Sequence, residues 1–407
     1  MDSVVNHGDT VFMMLCTALV CLMTPGLAFF YGGLARKRSI LYIMMQSFVA
    51  MGIVTLIWIY GGFGLAFGAD HGGLIGSISD YFGLFNVGLV PNAVYAAKIP
   101  FILFCLFQMM FCVITVPLIT GAFAERLNMR GYILLLIFWT VLIYIPVAHW
   151  IWGGGFLQKM GFVDFAGGTV IHTSAGFAAL ASVFALGSRK LKPGEAKSSN
   201  LMAAAIGTGL LWFGWFGFNS GGALEANMLA ATAFTNTILG LAGAMVMWMV
   251  IAKMFRGRVQ FLDVLTGSVA GLATITPCAG YIDFAYAPLV GAIAAIVCNV
   301  AVSVRLRYGW DDALDVWGVH GIGGFTGTIL IGIFADATVN GVSASWTQLG
   351  VQIFGAVLVA ILAFVGTYIL LKIFAAITNI RPSQADIEKG IDNVLLEETA
   401  YQLGHDK

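Results

Sequence analysis

The chain has 407 residues, of which 59% are hydrophobic and only 10% charged, with a mean hydropathy of +0.92. That much apolar surface does not fit inside a soluble globule, so the sequence reads as an all-α integral membrane protein. With 20 Lys and Arg against 20 Asp and Glu the net charge is zero, which offers no basic surface for nucleic acid and no acidic tract for a disordered tail.

A membrane helix needs about 20 mostly apolar residues. By that ruler the chain predicts eleven transmembrane helices, at approximately 11–34, 40–67, 97–122, 131–148, 166–186, 200–219, 227–252, 262–277, 285–304, 315–335 and 347–377. The runs are continuously apolar and too long for the strands of a barrel. Residues 1–7 carry no basic segment ahead of the first run, so no cleavable signal peptide is expected. The 51 glycines predict close helix packing, and the six cysteines, with no CxxC spacing, read as small buried hydrophobes.

Orientation follows from the basic residues. Of the 20 Lys and Arg, 18 fall in every second connection or in the tail, leaving only Lys98 and Lys159 on the other side. The positive-inside rule then places the N-terminus outside and the C-terminus in the cytoplasm. Five helices in each half, with opposite topology, make a 5+5 inverted repeat to which the last helix is an addition. Residues 1–380 form the membrane domain and 381–407 a cytoplasmic tail.

A spacing recurs at the last helix of each half. Seven residues separate Asp164 from His172 and seven separate Asp312 from His320, each histidine lying in an apolar, glycine-rich run. Inverted repeats place a substrate site near the midplane. Eight residues of helix advance about 12 Å, which carries each histidine deep into a core about 30 Å thick. Buried histidines there favour the neutral form and can share a hydrogen bond. Two other readings stay open: satisfied packing residues, and bis-histidine ligation of haem iron. Asp164 reads equally as an ordinary helix cap or as a cation-attracting carboxylate. Phe107 and Phe111 share a helix face, and with Trp150, Trp152 and the Trp215–Asn219 run they read either as an interfacial aromatic belt or as a cation–π cage.

These residues resemble the ammonium transporter (Amt/Mep/Rh) family, and its microbial branch in particular. The resemblance covers nearly the whole chain and is carried by Pro25-Gly26-Leu27-Ala28-Phe29-Phe30-Tyr31-Gly32-Gly33-Leu34, Gly121-Ala122-Phe123-Ala124-Glu125-Arg126, the stretch from Asp164 to His172, Trp215 to Asn219, and Asp315-Val316-Trp317-Gly318-Val319-His320-Gly321. It implies a homotrimer of eleven-helix protomers in the cell (inner) membrane, each with its own pore and no cofactor, and not an enzyme. It also implies that Trp152 and Phe107 form an outer ammonium-recruitment site, Phe111 and Phe218 a gate below it, His172 and His320 a twin-histidine pore lining, and Asp164 an aspartate needed for activity. Ammonium would bind outside and lose its proton, and ammonia would cross the pore. Two departures stand out: Gly222 occupies the position where many relatives place a serine, and the tail motif Asp386-Ile387-Glu388-Lys389-Gly390-Ile391-Asp392 is followed by Leu396-Glu397-Glu398 in place of the usual His-Gly-Glu. A cytoplasmic P-II regulatory protein is the implied partner. The alternative of a different class is an ammonium sensor signalling through its tail; only about 25–30 residues follow the last helix, too few to fold as a domain alone, which favours transport.

Overall fold

We describe a computed structural model of the chain, covering residues 5–189, 191 and 197–401. Lys190, Lys192 and Lys407, counted above among the inner basic residues, lie outside these, as do residues 1–4. Among the described residues ten helices are long and apolar enough to cross a membrane, and an eleventh apolar helix is shorter. In chain order they are α1 (His7–Leu34), α2 (Ile40–Phe67), α3 (Phe101–Thr120), α4 (Met129–Lys159), α5 (Gly168–Leu186), α6 (Leu201–Ala223), α7 (Met228–Arg256), the shorter α8 (Phe261–Ile275), α9 (Phe284–Arg307), α10 (Trp317–Phe334) and α11 (Trp346–Ile377).

The run expected at 262–277 therefore forms a helix of 15 residues, about 22 Å at the usual rise and short of a 30 Å core. The helix ends just before Pro277, a residue that disfavours helical continuation, and the chain turns there against α5, where a Cβ on Gly168 would stand 2.3 Å from the proline ring.

Glycine sets how closely the two halves approach at the centre. A Cβ on Gly176 of α5 would lie 2.1 Å from Cα of Gly321 on α10, so these helices cross with their backbones nearly in contact, as small residues permit in membranes. Gly321 follows His320 directly. Each of the two helices also begins in the same manner. The Asp164 carboxylate accepts hydrogen bonds from the backbone N–H groups at the start of α5, and the Asp312 carboxylate from Val316 and Trp317 at 3.0 and 2.8 Å. A wide, π-type turn follows in both, over Gly168–Thr173 and Trp317–Gly321, and each contains its histidine. Such turns displace a side chain from regular helical register and concentrate at functional sites.

After α11 the chain folds back onto the same face as the α1–α2 connection. Asp392 accepts from the N–H groups of Leu41 (3.1 Å) and Tyr42 (2.9 Å), taking orphan donors in the first turn of α2, while its own N–H bonds Arg38 O at 3.0 Å. Ile387 and Ile391 pack with Tyr42 beneath. Asp392→Ala removes the charged acceptor, and the loss of bonds to a charged group, about 1.5–3 kcal/mol each, is expected to loosen the tail without unfolding the helices. Limited proteolysis of the purified protein checks this: cleavage between residues 378 and 401 should accelerate severalfold at an unchanged melting temperature.

Candidate functional site

The site is built on the ends of α3, α4, α5 and α6. Phe107 and Phe111, one turn apart on α3, meet edge to face with ring centroids 4.7 Å apart. Phe111 then touches Phe218 of α6 at 4.4 Å and faces Trp152 of α4 at 6.1 Å. All three phenylalanines are buried. Outside them opens a chamber of about 440 Å³ lined by Phe107, Phe111, Trp152, Asp164, Phe165 and Gly222 among others. Ring faces at its base present the electron-rich surfaces that attract a small cation without a formal negative charge.

Trp152 is held from two sides. Its indole N–H donates to the backbone oxygen of Asp164 at 2.8 Å. One turn earlier, His149 is fully buried with its two ring nitrogens against Ala66 O (2.8 Å) and the Asp70 carboxylate (2.9 Å). A carbonyl can only accept, so Nδ1 carries a proton. The Asp70 carboxyl is held down to about 2 by its hydrogen bonds from Lys159 and His149, so its oxygens act as acceptors. This tether joins the start of the loop after α2 to the end of α4. His149 stands in the stretch that carries Trp152, yet Asp70 is 79 residues away, and no spacing rule connects them.

Below Phe218 the column continues. The His172 ring lies 6.0 Å from Phe218, stacks on Trp215 at 5.3 Å, and stacks on His320 at 5.2 Å. The two histidines bring Nδ1 to Nδ1 at 3.2 Å. Only one of these nitrogens can carry the shared proton, so the pair cannot be doubly charged in this arrangement. His172 Nε2 has no partner among the described protein groups, which leaves an acceptor or donor facing the column. On the far side of His320 is a second cavity, of about 170 Å³, lined by Phe30, Tyr31, Val319 and Asp315. Phe107, Phe111, Phe218, His172 and His320 thus separate two cavities in one file. Trp215, read from the sequence only as part of an aromatic run, belongs to it by its stacking on His172.

Asp164 lies against the outer chamber, but both its oxygens are committed. Oδ1 accepts from Gly167 (2.9 Å) and Gly168 (2.8 Å), and Oδ2 from Thr169 (2.7 Å) and Val170 (3.1 Å). Gly167 adopts φ +104°, which lets the chain turn back so that four successive N–H groups converge on one carboxylate. Of the two sequence readings, capping is the geometry found, with the backbone oxygen reaching Trp152 as its consequence for the chamber. At Gly222 a Cβ would stand 2.9 Å from Phe165 O and 3.1 Å from its ring. Phe165 occupies the room a serine would need, and the nearby Ser220 is buried and does not line the chamber.

No group of three or more His, Cys, Asp or Glu able to hold a metal occurs among the described residues. The Nδ1-to-Nδ1 contact also leaves no room for an iron atom between His172 and His320, since each metal–nitrogen bond alone is about 2 Å; haem ligation by this pair does not fit.

The sequence profile of the Ammonium Transporter Family matches residues 11–401. A putative ammonium transporter of Methanothermobacter thermautotrophicus is 45% identical over 98% of this chain and 99% of its own length. The ammonium transporter of Bacillus subtilis is 40% identical over 97% and 98%. Among solved structures, Candida albicans Mep2 superposes with a TM-score of 0.85 at 32% identity, covering 99% of this chain and 88% of that one. A structure described as a sensor Amt protein gives 0.89 at 29% identity, covering 95% and 98%. A family match across the spans, the ring column and the tail, together with full-length relatives at this identity, places the chain in the ammonium transporter family, a family of membrane transporters and not of enzymes.

Proposed function

We propose that the protein carries ammonium nitrogen through the file from Phe107 to His320. Ammonium enters the outer chamber, where Trp152 and Phe107 hold it by cation–π attraction worth about 0.5–2 kcal/mol. It gives up its proton before the Phe111–Phe218 gate, because a bare ion in the membrane core bears its full desolvation cost whereas ammonia is neutral and small. His172 and His320 then offer ammonia polar contacts without a fixed charge, and it leaves through the inner cavity, the proton following by a separate route. The observation that carries this reading is the Nδ1-to-Nδ1 contact of 3.2 Å between the two histidines, set in a column otherwise built of aromatic rings.

The same reading takes α8 as a span, giving eleven in a 5+5 inverted repeat with α11 added. The mirrored starts of α5 and α10, each with an aspartate cap and a wide turn around its histidine, support the repeat. Residues 1–380 are then the transporter domain of a homotrimer in the cell (inner) membrane, N-terminus outside. The docked segment 381–401 belongs to a cytoplasmic tail available to a P-II regulatory protein.

The test is current from proteoliposomes after an ammonium jump. Transient inward current is expected, absent with potassium, and Trp152→Ala should raise the half-saturating concentration about 5- to 30-fold, the loss of 1–2 kcal/mol at the outer site. A parent protein silent both in current and in internal pH would favour the sensor alternative.

A further inference from the structure

Three arginines surround a cavity that the transport path does not use. About 420 Å³ in volume, within the range of small-molecule sites, it opens where the α3–α4 and α5–α6 connections meet the start of the tail, and it is lined by Arg126, Arg189, Arg381, Ser188, Asn379 and Ser383 among others. Among the described residues no carboxylate lines it. From this arrangement we infer a binding site for a phosphate-class oxyanion, either free phosphate or the phosphate of a nucleotide.

The nearby acids are already engaged. Asp311 serves two guanidiniums, accepting from Arg189 Nη2 at 2.7 Å and Nε at 2.9 Å while standing 3.6 Å from Arg126 Nη1. Although burial pushes the Asp311 carboxyl up, these two arginines outweigh it and hold the carboxyl down to about 2. Glu125 pairs with Arg36 at 2.6 Å, accepts from Ser39, and reaches Arg189 at 3.4 Å. Asp312 turns its oxygens to Val316 and Trp317. Arg381 forms no ion pair among the described residues, and its charge adds to that of Arg189 against Arg126.

Arg126 supplies the independent sign of a missing partner. It is 1% exposed, and its Nη atoms donate to the carbonyls of Gly187, Ala122 and Asp311, but its Nε has no partner among the described protein groups. Burial pushes this guanidinium down to about 10, so the charge is poorly compensated where it stands. A buried N–H of a charged group left unpaired is costly, and planar guanidiniums match phosphate oxygens with paired N–H donors. An oxyanion here would join Arg126 and Arg189 of the membrane body to Arg381 at the root of the tail, so its binding would hold the tail down.

Isothermal titration calorimetry on the full chain in phosphatidylcholine nanodiscs tests the site, with inorganic phosphate and ATP as the two probes. Saturable binding is expected, weakened about tenfold or more by Arg381→Gln, the loss of one charge-assisted contact. Arg381 is exposed, so the variant should keep the parent melting temperature; Arg189→Gln is the second variant, expected to act in the same direction. Tighter binding of ATP assigns the nucleotide as the source, and equal or tighter binding of phosphate assigns the free ion. Absence of saturable heat with both probes, or equal affinity in Arg381→Gln and the parent, would overturn the inference.

Discussion

Asp164→Ala is expected to reduce ammonium current at least 100-fold and to lower the melting temperature. Four backbone N–H groups at the start of α5 end on this carboxylate, at 2.7 to 3.1 Å, and the group is buried. Bonds to a charged acceptor contribute about 1.5–3 kcal/mol each, although four on one group are not additive. Alanine would leave donors without water or protein to receive them, at membrane depth where an unsatisfied group is especially costly. A loss on the order of 3 kcal/mol corresponds to about 100-fold. The damage reaches the chamber through two links: the Asp164 backbone oxygen positions the Trp152 indole, and the α5 start carries His172 four residues after Gly168. Asp164→Asn is a sharper probe of charge, since its amide can accept at one oxygen but meets two N–H donors with two more of its own. It should be less destabilised than the alanine variant and still strongly impaired. Full current in either variant, measured in proteoliposomes matched for incorporated protein, would mean that the cap is dispensable for transport.

His172→Asp is expected to open the protein to potassium. The imidazole pair meets Nδ1 to Nδ1 at the centre of a ring stack that contains no carboxylate. An aspartate there brings a negative charge within about 4 Å of a passing ion, worth roughly 4 kcal/mol at an effective dielectric of 20. Being smaller than the imidazole, it also leaves room for water beside His320. Together these lower the barrier to a cation by far more than tenfold, so potassium current should rise at least ten times above the parent, while His320→Glu should act in the same direction. Potassium current no greater than in the parent would remove the twin-histidine pair from the selectivity of the pathway. Ammonium current in the variant should rise with it and lose its preference over potassium.

Part of this arrangement is legible along the chain. Apolar runs near 20 residues arise because a bilayer offers no partner to exposed peptide groups, so ten long helices follow from composition and length, with ends within a few residues of those expected except at α4, which runs on to Lys159. The two Asp-x7-His spacings were readable because few charged residues occur in such a chain, and both aspartates cap the helix that carries their histidine. Where the sequence left Asp164 between a cap and a cation ligand, the fold adds the cap geometry, which depends on Gly167 turning the chain so that four N–H groups converge. The end of α8 differs by two residues from the apolar run: hydropathy counts residues through Pro277, whereas the helix ends at Ile275, just before the ring that packs on Gly168.

What the sequence determined by itself is therefore the membrane character, the approximate spans, the basic asymmetry and the identities of the aromatic and histidine residues, because each depends on local composition or on a period along one helix. What the tertiary structure decided is contact. His172 and His320 are 148 residues apart and meet only because Gly176 and Gly321 let α5 and α10 cross with backbones nearly touching. Asp70 reaches His149 across a loop, and Arg381 reaches the cavity of Arg126 from the far end of the chain. Such pairings follow from the angle and distance at which helices pack, which small residues permit at many points along a helix and which only the whole set of neighbouring side chains selects.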